Sequence, residues 1–147
     1  VDRKSRAARI QGGVLGPHLE AQLKPHDVTL RHFPQSYEYS TLGGWIATRS
    51  SGQFSNRYGA IEDRLVSLRV VTPTGVLRTL EVPRSASGPD LNALVLGSEG
   101  TLGVIVEATL RVSPLPAASG GRGMLFRDFA GGVGGTRIQD DDTTRPP

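Results

Sequence analysis

Hydrophobic and polar positions follow recognisable periods over the first 116 residues and lose that order afterwards. Leu19 and Leu23 stand four apart behind Gly16-Pro17, and Pro25 closes the run, a spacing that predicts a short helix with proline in its first turn. Val28-Thr29-Leu30 alternates briefly, and the stretch from His32 to Ser36 turns at Pro34. A helix-length segment then runs from Ser40 to Gly52, with serine placed as a cap and glycine as a stop. Its adjacent glycines, Gly43 and Gly44, each cost about 1 kcal/mol relative to alanine inside a helix, so a ligand or another backbone approaching closely is the reason to look for.

Further along, Val66, Leu68 and Val70 alternate with Ser67 and Arg69, Pro73-Thr74-Gly75 makes a turn, and Val76 to Val82 runs back, which predicts a hairpin. Gly88-Pro89-Asp90 opens a short helix through Leu91, Leu94 and Val95, stopped at Gly97. After the loop Gly97-Ser98-Glu99-Gly100-Thr101-Leu102-Gly103, a strand places Val104, Val106, Ala108, Leu110 and Val112 on one face, and Ile105, Glu107, Thr109 and Arg111 on the other, before Pro114. The order predicts an α+β fold, a mainly antiparallel sheet with helices against one face. From Ala117 the chain fills with glycine pairs, an Asp140-Asp141-Asp142 run and a closing Pro146-Pro147, and poor order is expected there, apart from residues 124–129.

Composition narrows the function classes. The chain has 147 residues, enough for one domain, with 19 Gly, 10 Pro and only 5% aromatics, so its core is expected to be aliphatic. No cysteine is present, which removes disulfides and thiolate metal sites and suggests a cytoplasmic setting. No apolar run approaches a membrane span. The net charge is +3, but Arg3, Lys4, Arg6 and Arg9 crowd one end without interleaved aromatics, so no nucleic-acid partner is expected. His18, His26 and His32 lack metal-ligand spacing, no Gly-x-Ser-x-Gly elbow occurs, Glu62-Asp63 suits capping or solvation, and the lone Trp45 suits a core. The segment from Gly97 to Gly103 is Gly-x-x-Gly-x-x-Gly, neither a Rossmann fingerprint nor a Walker A loop; it suits either a tight helix-to-strand connection or a cofactor loop.

The run from His32 through Phe33-Pro34-Gln35-Ser36-Tyr37-Glu38-Tyr39-Ser40-Thr41-Leu42-Gly43-Gly44-Trp45 to Gly52, followed in order by Tyr58-Gly59-Ala60-Ile61-Glu62-Asp63, Gly88-Pro89-Asp90 and Gly97 to Ile105, resembles the alkyldihydroxyacetonephosphate synthases. That family belongs to the FAD-binding flavoproteins typified by vanillyl-alcohol oxidase and p-cresol methylhydroxylase. The resemblance covers about Gln11 to Pro116 and implies the second subdomain of a PCMH-type FAD-binding domain. Residues 1–116 would then be the C-terminal part of that domain and residues 117–147 the start of a cap domain with an irregular tail. The implied cofactor contacts are Gln35, Ser36, Tyr37, Glu38, Tyr39, Ser40 and Thr41; the glycines Gly43 and Gly44; Thr48, Arg49, Ser50 and Ser51; and Glu99, Gly100, Thr101, Leu102, Gly103, Val104 and Ile105.

Gln35 departs from the family, whose eukaryotic synthases usually carry Asp there. The family's Pro-x-Gly-Gly-Gly-Thr-Ser pyrophosphate loop and the His cluster of its cap have no counterpart in these residues. The implied activity is either the synthase reaction, exchange of an acyl group for a fatty alcohol with no net redox, or FAD-linked oxidation of a 2-hydroxy acid. The partner would be a small or lipid-like substrate of the full-length protein, with a homodimer left open. From a different class, the chain alone would be either an inert, non-catalytic fragment or a flavin-interacting module.

Overall fold

The structure is a computed structural model that describes residues 1–117 and 124–133. The chain divides into two compact units, Val1–Leu115 and Pro116–Pro147.

In the first unit the elements run β1 (Ala7–Gln11), α1 (Gly16–Leu23), a 3-10 turn (Lys24–His26), β2 (Val28–Thr29), α2 (Leu42–Ala47), α3 (Ser55–Tyr58), α4 (Ile61–Arg64), β3 (Leu65–Thr72), β4 (Gly75–Arg78), α5 (Leu91–Val95), β5 (Val104–Arg111) and β6 (Ser113–Pro114). Four strands form a sheet in the order β1-β5-β3-β4, antiparallel throughout, and β2 pairs with β6. The α+β expectation holds. Leu19 and Leu23 of α1, Leu42, Trp45 and Ile46 of α2, Ile61 of α4 and Val95 of α5 share one core with Leu68, Val70, Ile105, Ala108 and Leu110 of the sheet. The other face of the sheet is polar and is crossed by the chain after β4. Glu81 there accepts from Arg9 Nη2 at 3.0 Å and from Thr109 Oγ1 at 3.2 Å.

Four local expectations are corrected. The helix expected from Ser40 starts at Leu42 under a Thr41 cap, whose Oγ1 accepts from Gly44 N at 3.3 Å. Ser40 is committed elsewhere, accepting from the Trp45 indole at 2.6 Å and donating to Ser36 O at 2.7 Å. The helix ends at Ala47 and not near Gly52, because the N–H groups of Gly97 and Glu99 take the carbonyls of Ile46 and Ala47 (3.2 and 3.0 Å). Gly52 serves a close approach instead, since a Cβ there would lie 2.8 Å from the Phe33 backbone.

Strand β4 stops at Arg78, short of Val82. Thr79 N still donates to Leu68 O, but Leu68 N donates to the Thr79 hydroxyl at 2.7 Å, so a side chain replaces the next ladder carbonyl and frees the backbone to leave the sheet. In β5, Ile105 lies in the core while Val104 is 67% exposed, the reverse of the simple alternation. Arg69 faces Glu107 and Val70 faces Ile105, which leaves Val106 as an extra residue without a partner in β3; one such bulge exchanges the faces of everything beyond it.

In the second unit, residues 129–133 make a helical turn, with Gly131 N donating to Asp128 Oδ1 at 2.8 Å. The expectation for the rest of the tail falls on residues 118–123 and 134–147, outside the described residues.

Gly12 joins the core to the bulge: its N–H donates to Val106 O at 2.8 Å, and a Cβ there would overlap Ile105 O. Gly12→Ala is expected to lower the stability of the chain by about 1–3 kcal/mol, read as a shift in the urea midpoint at unchanged slope.

Candidate cofactor site

Helix α2 has six residues, and the segments singled out by the resemblance meet at its two ends. At the N-terminal end, Leu42 N donates to Val14 O (3.1 Å) and Gly43 N to Gly12 O (2.7 Å). At the C-terminal end, Thr48 N donates to Gly44 O and Ser50 N to Trp45 O (3.0 and 2.9 Å), beside the bonds from Gly97 and Glu99. The segments 35–44, 48–51 and 99–105 are thereby gathered around one short helix.

The two adjacent glycines have different reasons. A Cβ on buried Gly43 would lie 3.1 Å from both Gly12 O and Ile105 O, so Gly43 answers to neighbouring backbone. Gly44 is exposed, and a Cβ there would meet only Thr41 Oγ1 at an ordinary 3.4 Å, so nothing among the described residues requires glycine. In the later loop Gly97, Gly100 and Gly103 have φ of 74°, 83° and 148°, conformations that favour glycine whatever lies outside. The tight-connection reading therefore accounts for all three, and any role toward a cofactor rests on what the loop exposes.

It exposes a good deal. Glu99, Gly100, Thr101, Leu102 and Val104 face solvent, as do Gln35, Ser36, Glu38, Tyr39, Thr48, Arg49 and Ser51; Tyr37, Ser40, Thr41, Ser50 and Gly103 are half-buried, and Gly43 and Ile105 are buried. Among the described residues no acceptor takes the N–H groups of Gly100, Leu102 or Gly103. Bare amides beside the exposed Leu102 and Val104 side chains suit a flat ring system edged with carbonyls and ring nitrogens, which is what a flavin presents.

Beneath this surface lies a layer of side chains whose contacts motif reading did not show. His32 is fully buried; its Nε2 shares a 2.8 Å hydrogen bond with Ser50 Oγ, and its ring lies 5.3 Å from Trp45. Burial, and after it the charge of Arg64, push the imidazole down to about 4. Trp45 is a core residue as expected, and its indole also holds Ser40. Tyr37 stacks at 6.2 Å on Trp45, and burial, then Glu20, push its hydroxyl up to about 12. Glu20 staples the entrance to this layer, accepting from Leu30 N, Arg31 N and Thr29 Oγ1 at 3.0, 3.2 and 2.7 Å where Arg31 is left-handed at φ 54°. Asp63 caps α4, accepting from Ala60 N at 2.8 Å, in line with the capping expected of the Glu62-Asp63 pair.

Comparison with known proteins fixes the class. The profile of the FAD binding domain family matches residues 1–81, more than half of the chain. The chain belongs to that family, and FAD is its cofactor. It is 51% identical over 133 residues to an alkyldihydroxyacetonephosphate synthase of Dictyostelium discoideum, covering 90% of this chain and 22% of the relative. It is 50% identical over 82 residues to a mitochondrial D-lactate dehydrogenase [cytochrome] of Arabidopsis thaliana, covering 54% of this chain and 14% of that one. A solved alkyldihydroxyacetonephosphate synthase superposes with a TM-score of 0.75 at 51% identity, over 80% of this chain and 21% of the other. The chain thus spans about a fifth of the length of its synthase relatives. No described helix is long and apolar enough to cross a membrane.

The His32 environment sets a pH dependence. The unfolded chain takes up a proton on His32 near its ordinary 6.5, whereas the folded chain does not until about 4, so this group favours folding fully above pH 6.5 and progressively less as the pH falls toward 4. Urea unfolding between pH 7 and pH 4 is expected to show that loss, with a shallower pH slope for His32→Gln. An identical slope in both proteins would assign the loss to other groups.

Proposed function

We propose that residues 35–41, 44, 48–51 and 99–105 form one wall of the FAD site and hold the isoalloxazine and ribityl part of the cofactor largely through backbone. The observation that carries this is the convergence of the three segments on α2 with exposed amides and no glycine requirement at Gly44 from the described residues. Bound FAD would supply its redox-active ring, while these residues would position it and shield one side from water.

For the full-length protein, a synthase-like activity on a small or lipid-like substrate is the leading reading, supported by 51% identity to the Dictyostelium synthase over most of the chain. FAD-linked oxidation of a 2-hydroxy acid is the second, supported by the D-lactate dehydrogenase relative. A cytoplasmic setting and a homodimeric enzyme belong to the same proposal. The acid-base residues that would choose between the reactions are not among those described in this wall. With only one wall, the 147-residue chain by itself would be a colourless, non-catalytic module.

Purified full-length protein is expected to show flavin absorbance near about 450 nm with about one FAD per chain, and the 147-residue chain none. A stoichiometrically yellow 147-residue chain would overturn the view that a second wall is needed. Gly44→Leu in the full-length protein is expected to stay folded by circular dichroism, since helix propensity rises, yet to bind FAD at least about tenfold more weakly because the side chain fills the approach. Unchanged affinity would remove α2 from the site.

A further inference from the structure

Arg49 belongs to the cofactor segment 48–51, where a cation invites assignment as a ligand of the FAD pyrophosphate. Its side chain is engaged elsewhere. The residue is left-handed, φ 52°, a conformation that costs a non-glycine residue on the order of 1 kcal/mol and persists where surrounding contacts enforce it. From there Nε donates to Leu96 O at 3.3 Å and Nη2 to Ala93 O at 3.4 Å. Both carbonyls belong to the C-terminal turn of α5, where the helix dipole favours a cation. Nη1 lies 3.6 Å from the Glu62 carboxylate, an exposed pair of small value by itself. The side chain also lies against the left-handed Gly97, where a Cβ would come within 3.1 Å of it. On the backbone side, Gly97 and Glu99 donate to Ile46 and Ala47 of α2. The same turn is thus held from two directions, by the side chain of one cofactor segment and by the backbone leading into it.

We propose that Arg49 is a positioning residue: its guanidinium clamps α5 and the 97–103 loop against residues 48–51, so that the two segments meet FAD as one preformed surface, and it does not bind the FAD phosphates. This inference rests on the FAD site proposed above and adds the device that keeps its parts in register. A lysine cannot replace the arginine here, because one ammonium cannot span two carbonyls and a carboxylate with the fixed fork of a guanidinium.

The test separates a clamp from a phosphate ligand by comparing flavins with and without phosphate. Apo full-length protein, wild type and Arg49→Ala, is titrated with FAD and with riboflavin by flavin fluorescence, at a temperature where circular dichroism shows both proteins folded. The clamp predicts that both flavins weaken by the same factor, about tenfold, and that Arg49→Lys does not restore them. It also predicts faster hydrogen exchange at the Glu99 amide in the apo variant. Gly97→Ala, which wedges the same contact from the other side, should act in the same direction and add little to Arg49→Ala. Weakening of FAD with riboflavin unchanged would make Arg49 a phosphate ligand and overturn the proposal. So would unchanged affinity for both flavins. A wild-type protein that binds neither flavin would instead overturn the site itself.

Discussion

A helix of six residues makes very few of its hydrogen bonds internally, and α2 lies in the core, where unmade bonds are expensive. Its first amides are met by Val14, Gly12 and the Thr41 hydroxyl, and its last carbonyls by Thr48, Ser50, Gly97 and Glu99. The partners are the turn after β1, the segment leaving the helix and the loop before β5, so satisfying one short helix draws together chain segments as far apart in sequence as Gly12 and Glu99. The same bonds decide where glycine is needed, because Gly12 and Gly43 must let backbone come to backbone. The caps of the helix thus share Thr41, Thr48, Ser50 and Glu99 with the wall proposed for FAD.

Periodicity made the individual elements legible. The four-residue spacing in α1, the alternation along β3 and the proline-glycine turn between β3 and β4 all report contacts made within an element or with its immediate neighbour. What stayed hidden depends on a partner distant in sequence. The slip at Val106 lies in the pairing of β5 with β3, and nothing in the order Val104-Ile105-Val106 marks it. Thr41 displaces Ser40 as the cap because Trp45, five residues on, claims the serine. Gly43 and Gly44 are alike in sequence and differ only in what stands opposite each.

The same distinction applies to the site. The resemblance located the segments, and the order of motifs along the chain carried that information. It did not mark Glu20, which holds the chain just ahead of those segments. Glu20 is an ordinary acid on the polar side of an amphipathic helix until the chain folds back to offer it two amides and a hydroxyl. His32 opens the motif run, and only its burial and its bond to Ser50 give it a part in holding the surface. Residues of this second layer are found by geometry because their chemistry is unremarkable in isolation.

The bulge at Val106 also divides β5 between two masters. Past it toward the C-terminus, substitutions at Ala108 and Leu110 are judged by volume, since they fill a closed space. Before it, Ile105 answers to that same space while Val104 and Leu102 answer to whatever rests on the outside, so adjacent hydrophobic residues in one short stretch are free to vary under unrelated rules. A homologue could exchange what it carries on that surface by changing Val104 alone and leave the packing of the sheet untouched.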